Sequence, residues 1–171
     1  MTPWGAWYFA HRGYVLAVLL AALSVIRFIS SAPLYFAWLG MVLIGILLRL
    51  WAGAHIGPHS SGIVLTFGPR AKTGPYKILR HPLYLSNLLV SAGLIGFANC
   101  LTPFWGLSFW MITVAHHAVL IGMENSLPPT DTMPALPANW KTAWIRQRGN
   151  IGYTFATVGL LYLPSFLRDY L

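Results

Sequence analysis

The chain has 171 residues, of which 57% are hydrophobic and only 8% are charged. Soluble domains carry roughly 25% charged residues, so the composition excludes an ordinary soluble domain and predicts one integral membrane domain. The net charge of +8 does not indicate a nucleic-acid partner, because the basic residues lie between apolar runs. The single cysteine excludes an internal disulfide and a multi-cysteine metal site, and we expect no metal.

Apolar runs in the sequence predict an all-α polytopic helix bundle of about five transmembrane helices. Several runs are slightly shorter than the roughly 20 residues that cross a bilayer. The short linkers at residues 30–33 and 99–103 predict two tight hairpins, and the last run is the weakest because glycine, threonine and proline dilute it. The predicted spans are residues 14–30, 33–51, 83–99, 104–123 and 151–166.

Two long segments, residues 52–82 and 124–150, lie on the same side of the membrane in this arrangement. The second contains several prolines, so we expect it to be extended rather than helical. Nine basic residues fall on the side of these segments and two on the other. By the positive-inside rule the N-terminus and both segments are cytoplasmic, and we expect the bacterial inner membrane as the location.

Polar and small residues within the predicted spans are interpreted as packing features. Arg27 and Arg49 lie near span ends and are expected to snorkel to lipid head groups. The adjacent His116 and His117 point about 100° apart on a helix, so one should hydrogen-bond in the bundle and the other should face the loop. Four glycines are interpreted as close-packing positions between helices, namely Gly40, Gly45, Gly93 and Gly96.

The most informative stretch begins at Gly74 and reads Gly-Pro-Tyr-Lys-Ile-Leu-Arg-His-Pro-Leu-Tyr. Pro82 fits the first position of a helix, where its missing N–H costs nothing. The free N–H groups of this helix start lie beside Lys77, Arg80 and His81. Together they predict a site for an anion such as a carboxylate or a phosphate.

Glu124, the only glutamate in the chain, is expected to return to the membrane depth of His81. From Pro82 to the hairpin turn is about 19 residues, and from the turn to Glu124 about 22, so the two helices measure ~28 Å and ~33 Å. An acidic group and a basic cluster would then meet at one interface. Such a pair is complementary to a zwitterion, for example an amino acid head group.

These elements resemble the integral membrane methyltransferases related to isoprenylcysteine carboxyl methyltransferase and to the phospholipid N-methyltransferases. The resemblance covers residues 49–125 and rests on the runs Thr73-Gly74-Pro75-Tyr76-Lys77 and Arg80-His81-Pro82-Leu83-Tyr84-Leu85, followed by Gly93. It implies S-adenosylmethionine as the cofactor. It also implies methyl transfer to a lipid or small hydrophobic acceptor that enters from the bilayer, at the cytoplasmic interface.

The resemblance further implies roles for individual residues. His81 and Tyr84, in the helix start that Pro82 begins, would contact the amino acid end of the cofactor, and Tyr76 would line the adenosine pocket. Catalytic roles would fall to two residues. Glu124 would also bind polar groups of the cofactor, and Arg80 would hold the motif in place or bind an acidic substrate.

Departures from the family pattern leave an alternative open. Lys77 replaces an arginine, Ser86 a glycine and Asn125 a second glutamate, and the C-terminal Gly-x-x-Tyr-x-x-Tyr element is not recognisable. The chain could therefore be a non-catalytic subunit that packs in, or helps assemble, a membrane complex holding pigments or redox cofactors. A sterol-reductase-like enzyme using a nicotinamide cofactor also fits the architecture but has no motif here.

The enzyme hypothesis and the subunit hypothesis predict different interiors for the helix bundle. A pocket open to the cytoplasm and lined by Tyr76, His81, Tyr84 and Glu124 would favour the enzyme. A site filled by side chains would favour the subunit.

Overall fold

The structure, a computed structural model, describes residues 3–29, 34–56, 71–98, 103–126 and 137–170. Within these residues it consists of helices and contains no strand, which confirms the predicted all-α class. Two 3₁₀ turns, Phe36–Trp38 and Gly74–Lys77, precede the second and third helices. The helices are α1 (Pro3–Ile29), α2 (Leu39–Ile56), α3 (Pro82–Ala98), α4 (Pro103–Asn125) and α5 (Trp140–Tyr170).

Three of the described helices contain segments long and apolar enough to cross a membrane: Ala10–Arg27, Phe36–Ile56 and Phe104–Asn125. Helix α3 is apolar but shorter. Large apolar side chains such as Leu47 and Leu107 remain exposed on these helices, and a lipid environment would cover them. The helices therefore indicate an integral membrane protein, while a crossing by all five stays a prediction.

Helix α5 begins well before the predicted span, so the end of segment 124–150 is helical rather than extended. Asn139 explains this start, because its side-chain oxygen accepts a hydrogen bond from Thr142 N at 2.9 Å, as a helix N-cap does. The Asn139 N–H also donates to Ala54 O at 3.0 Å, which ties the start of α5 to the end of α2. Residues 127–136, the predicted linker at 30–33 and residues 99–102 of the predicted linker at 99–103 lie outside the described residues.

Helices α2 and α3 form the most extensive helix pair of the described structure. Two glycines allow this close approach. A Cβ atom on Gly45 would lie 2.9 Å from Ser86 O, and one on Gly93 would lie 2.8 Å from Val42 N. Gly96 similarly packs against the Trp38 ring. At Gly40 an added Cβ atom would meet no described residue within 4 Å, so the described structure shows no close packing there.

Replacement of Gly93 by alanine is expected to destabilise the α2–α3 pair by about 1–3 kcal/mol, because backbone atoms of α2 would have to move. Thermal unfolding of the detergent-purified protein measures the loss. Gly159→Ala is the matched control, because Gly159 lies in helix α5 and no described residue comes within 4 Å of its added Cβ. The control should unfold at the wild-type temperature or slightly above it. Equal unfolding temperatures for Gly93→Ala and wild type would contradict the close packing.

The main hydrophobic core joins α1, α2, α3 and α5, and its members are Leu23, Val42, Ile46, Leu94, Phe97, Ala98, Ile151 and Leu161. Arg27 lies beside it and is fully buried. Its Nε donates to Leu161 O at 3.4 Å and its Nη2 donates to Ser165 Oγ at 2.5 Å. The prediction that Arg27 snorkels to lipid head groups is therefore wrong, because α5 supplies partners inside the bundle.

Candidate functional site

The segment before α3 is shaped by Gly74, whose φ of 57° lies in the left-handed region that favours glycine. A Cβ atom at Gly74 would lie only 2.5 Å from the ring of His55, at the end of α2. The following turn is closed by a hydrogen bond from Leu79 N to Pro75 O at 2.8 Å. The Gly-Pro pair thus fixes the segment against α2 and sets the position of Tyr76.

Helix α3 begins at Pro82, as predicted from the sequence. His81 immediately precedes it, and its carbonyl accepts the first-turn hydrogen bond from Leu85 N at 3.2 Å. The His81 side chain is only 17% exposed, whereas Lys77 and Arg80 point to the surface. The predicted basic cluster therefore divides, with one imidazole turned inward and two cations at the surface.

Glu124, at the end of α4, meets the start of α3 as the matching helix lengths predicted. Its Oε1 accepts a hydrogen bond from the Tyr84 hydroxyl at 2.5 Å, and its Oε2 lies 3.5 Å from His81 Nδ1. The rings of His81 and Tyr84 are 5.8 Å apart between centroids. We call His81, Tyr84 and Glu124 the carboxylate cluster. It is partly open to the outside, since the Glu124 side chain is 33% exposed.

Tyr76 lies beside the carboxylate cluster. Burial, with the charge of Glu124 as a second cause, raises the pKa of Tyr76, and the Arg49 charge opposes this only in part. Its hydroxyl therefore stays protonated at physiological pH and remains a hydrogen-bond donor. The Tyr76 hydroxyl and His81 Nε2 are both buried without a hydrogen-bond partner in the described structure. Since buried polar atoms are normally paired, these two indicate a place for a polar ligand.

A cavity of about 1080 Å³ lies between α1 and helices α2 to α5. Tyr84 lines it, whereas Tyr76, His81 and Glu124 are not among the lining residues. This cavity is therefore not a pocket lined by all four residues, and the assignment of those residues to one ligand site stays a prediction. Tyr84 links the carboxylate cluster to the cavity, because its hydroxyl donates to Glu124 and its side chain also lines the cavity.

A buried polar network at the cavity joins four helices and was not predicted. Arg49 Nε donates to Gln147 Oε1 at 2.7 Å, and Arg49 Nη1 donates to Asn87 Oδ1. The Asn87 amide donates to His117 Nε2 at 3.1 Å, and His117 Nδ1 donates to Thr113 O at 2.8 Å. Arg49 therefore does not snorkel to head groups. The signal in the sequence that indicates such a network is the presence of a polar residue in each of several apolar runs.

Both histidines of the adjacent pair are buried, so the prediction that one faces the loop is wrong. His116 Nδ1 lies 2.5 Å from the Tyr8 hydroxyl of α1, while His117 belongs to the network. Their rings are perpendicular, with centroids 5.2 Å apart. A side chain of α1 therefore contacts His116, whereas a side chain of α3 contacts His117.

Positions that depart from the expected motif do not close the cavity. Ser86 is fully buried and its hydroxyl donates to Leu83 O at 2.7 Å, while Asn125 is exposed. Helix α5 has no recognisable tyrosine motif, but it contributes Arg146, Gln147 and Asn150 to the cavity wall.

Comparison with protein families identifies a match over the part of the chain that holds the site. The model of the isoprenylcysteine carboxyl methyltransferase family matches residues 38–125, just over half of the chain. The matched part runs from the end of the first 3₁₀ turn to the end of α4 and contains the whole carboxylate cluster. No curated protein and no solved structure matches the chain.

Proposed function

Because the chain belongs to the isoprenylcysteine carboxyl methyltransferase family, we propose that it transfers a methyl group from S-adenosylmethionine to a hydrophobic acceptor. The acceptor is a lipid or a small apolar molecule, and the reaction takes place at the cytoplasmic membrane interface. Family membership and the apolar helices both support an integral membrane methyltransferase. The observation that carries the proposal is the carboxylate cluster, in which His81 Nε2 has no partner, with the unpartnered Tyr76 hydroxyl beside it.

The residues present fit S-adenosylmethionine, whose amino acid end carries one positive and one negative group. Glu124 has a partly exposed carboxylate that can accept hydrogen bonds from an amino group. His81 Nε2 and the Tyr76 hydroxyl are available for the remaining polar groups. When bound, S-adenosylmethionine supplies a methyl group already activated by its positive sulfur.

The protein's own contribution is then to position the reactants and exclude water. Tyr84 belongs to the carboxylate cluster and also lines the cavity, so it is suited to separate a cofactor site from an acceptor site. The cavity wall is largely apolar, which fits a lipid chain entering from the bilayer. Arg80, exposed at the same interface, would hold the motif in place or attract an acidic acceptor. Such a mechanism relies on orientation and desolvation rather than on acid–base catalysis.

A purely structural subunit of a larger complex is not favoured. Such a subunit would gain from a filled interior, since empty space and unpaired buried polar atoms both cost stability. The described part of this chain instead has a large, partly open cavity and unpartnered buried atoms at Tyr76 and His81.

Calorimetric titration of the detergent-purified protein with S-adenosylmethionine tests the proposal. We expect wild-type protein to bind, and His81→Ala to bind about tenfold more weakly because one hydrogen-bonding ring is lost. Lys72→Ala is the control, since Lys72 is exposed in the same segment and stands outside the cluster. Its affinity should equal that of wild type. Absence of binding by folded wild-type protein would overturn the proposed function.

A further inference from the structure

Arg49 is a partly buried cation of α2 whose hydrogen-bond partners in the described structure are neutral. Its Nε donates to Gln147 Oε1 at 2.7 Å and its Nη1 donates to Asn87 Oδ1, and both partners are amides. A guanidinium has five N–H groups, so most of them remain available. No acidic residue of the described structure forms an ion pair with Arg49. A charge inside a helix bundle normally has a counterion, so the arrangement indicates that an anion is missing.

The basic residues that were predicted to bind an anion at the start of α3 do not supply an inward-facing cation. Lys77 and Arg80 are exposed. His81 is turned inward, but its Nδ1 lies 3.5 Å from Glu124 Oε2. The carboxylate cluster therefore needs another cation if it is to bind a zwitterion, and Arg49 is suited to that role.

Arg49 contacts α3 one helical turn away from the residue of α3 that binds Glu124. Tyr84 is the residue that donates to Glu124. Asn87 accepts from Arg49 and lies three residues further along α3, which is a rise of about 4.5 Å. The ring of His117 connects the two positions, with its centroid 5.6 Å from that of Tyr84 and its Nε2 3.1 Å from the Asn87 amide. A negative and a positive group are thus held at neighbouring positions of one helix.

Tyr76 lies within electrostatic range of both groups. The negative charge of Glu124 and the positive charge of Arg49 both act on its phenol. The Tyr76 hydroxyl is buried and has no hydrogen-bond partner in the described structure. A hydroxyl in this position can bind a small polar group that is itself held between the two charges.

We propose that Arg49 binds the carboxylate of S-adenosylmethionine while Glu124 binds its amino group. This assignment rests on the proposed function and adds the residue that recognises the anionic part of the cofactor. An arginine suits that task because its planar fork of N–H groups matches the two oxygens of a carboxylate. Gln147 and Asn87 are then positioning residues, since they hold the guanidinium in place.

Calorimetric titration of the detergent-purified full-length protein with two ligands tests the proposal. S-adenosylmethionine carries the carboxylate, whereas decarboxylated S-adenosylmethionine lacks it and keeps the amino group and the sulfonium. We expect the wild-type protein to bind the first about tenfold more tightly than the second. Equal affinities for the two ligands would overturn the proposal.

The substitution Gln147→Glu tests whether Arg49 is the cation concerned without removing it. Glutamate keeps the length of the side chain and accepts the same hydrogen bond, so it compensates the charge of the guanidinium from within the bundle. We expect the affinity for S-adenosylmethionine to fall about tenfold and the affinity for the decarboxylated ligand not to fall. Unchanged affinity for S-adenosylmethionine in this variant would overturn the role of Arg49.

Arg148→Gln is the matched control for Gln147→Glu, because it lowers the net charge by the same amount at an exposed position. It should keep the wild-type preference for S-adenosylmethionine. Arg12 of α1 is the competing cation, because its charge also interacts with Glu124. We expect Arg12→Gln to change the two affinities equally. A loss confined to S-adenosylmethionine in Arg12→Gln, with wild-type binding by Gln147→Glu, would overturn the proposal in favour of Arg12.

The same titrations keep this inference apart from the proposed function. Failure of folded wild-type protein to bind either ligand would reject the proposed function and the role of Arg49 with it. Binding of both ligands without the selective loss in Gln147→Glu would reject only the role of Arg49.

Discussion

Replacement of Glu124 by glutamine is expected to weaken S-adenosylmethionine binding by a factor of about 10 to 100. Glutamine keeps the length of the side chain and can still accept the hydrogen bond from Tyr84, so only the negative charge is lost. That charge is the part of the carboxylate cluster that an amino group and a sulfonium would recognise. Calorimetric titration measures the change in affinity, and methyl transfer to added lipid should fall in parallel.

Two further variants show whether the charge itself matters. Asn125→Ala removes an exposed polar side chain next to Glu124 and should leave the affinity unchanged. Tyr84→Phe removes the hydroxyl that donates to Glu124 and should cause a smaller loss than Glu124→Gln, about fivefold. Equal affinities for Glu124→Gln and wild type would show that the cofactor is bound elsewhere.

Replacement of Arg49 by methionine is expected to lower the free energy of unfolding by about 2 kcal/mol. The substitution removes hydrogen bonds to the buried Gln147 and the partly buried Asn87 and leaves both amides with fewer partners. Thermal unfolding in detergent measures the loss. Arg148→Met provides the control, because Arg148 is exposed on the same helix as Gln147 and should unfold at the wild-type temperature.

A second substitution identifies the cause of the Arg49 effect. If the loss comes from an unsatisfied amide, Gln147→Leu combined with Arg49→Met should cost less than the sum of the two single changes. Strict additivity, or an Arg49→Met protein as stable as wild type, would contradict the network as a stabilising feature.

Local sequence signals predicted part of the site. Pro82 marked the start of α3, and the similar lengths of α3 and α4 predicted that Glu124 would reach His81. Both inferences need only the number of residues along a continuous stretch of chain and the rise per residue of a helix. The number of residues can be read from the sequence. The assignment of these residues to the cofactor remains a prediction.

Contacts with α5 could not be predicted in the same way. Arg27 and Arg49 were expected at lipid head groups because each lies near the end of an apolar run. Their partners, Ser165 and Gln147, are more than 90 residues away in the chain. Whether an arginine can be buried without a large loss of stability depends on such distant partners, and no local sequence pattern shows them. The start of α5 was missed for a simpler reason, since Asn139 is a helix cap that the preceding prolines obscured.

The close α2–α3 seam at Gly45 and Gly93 has a mechanical consequence. Backbones in such close contact cannot slide or separate without losing many contacts at once, so this pair forms the stiff half of the bundle. Tyr76 and His81 are attached to that half, whereas α1 lines the other side of the cavity. Thermal fluctuations of α1 should therefore change the volume of the cavity and leave Tyr76 and His81 in place. An enzyme built in this way could accept acceptors of different chain shapes while holding its methyl donor in a single geometry.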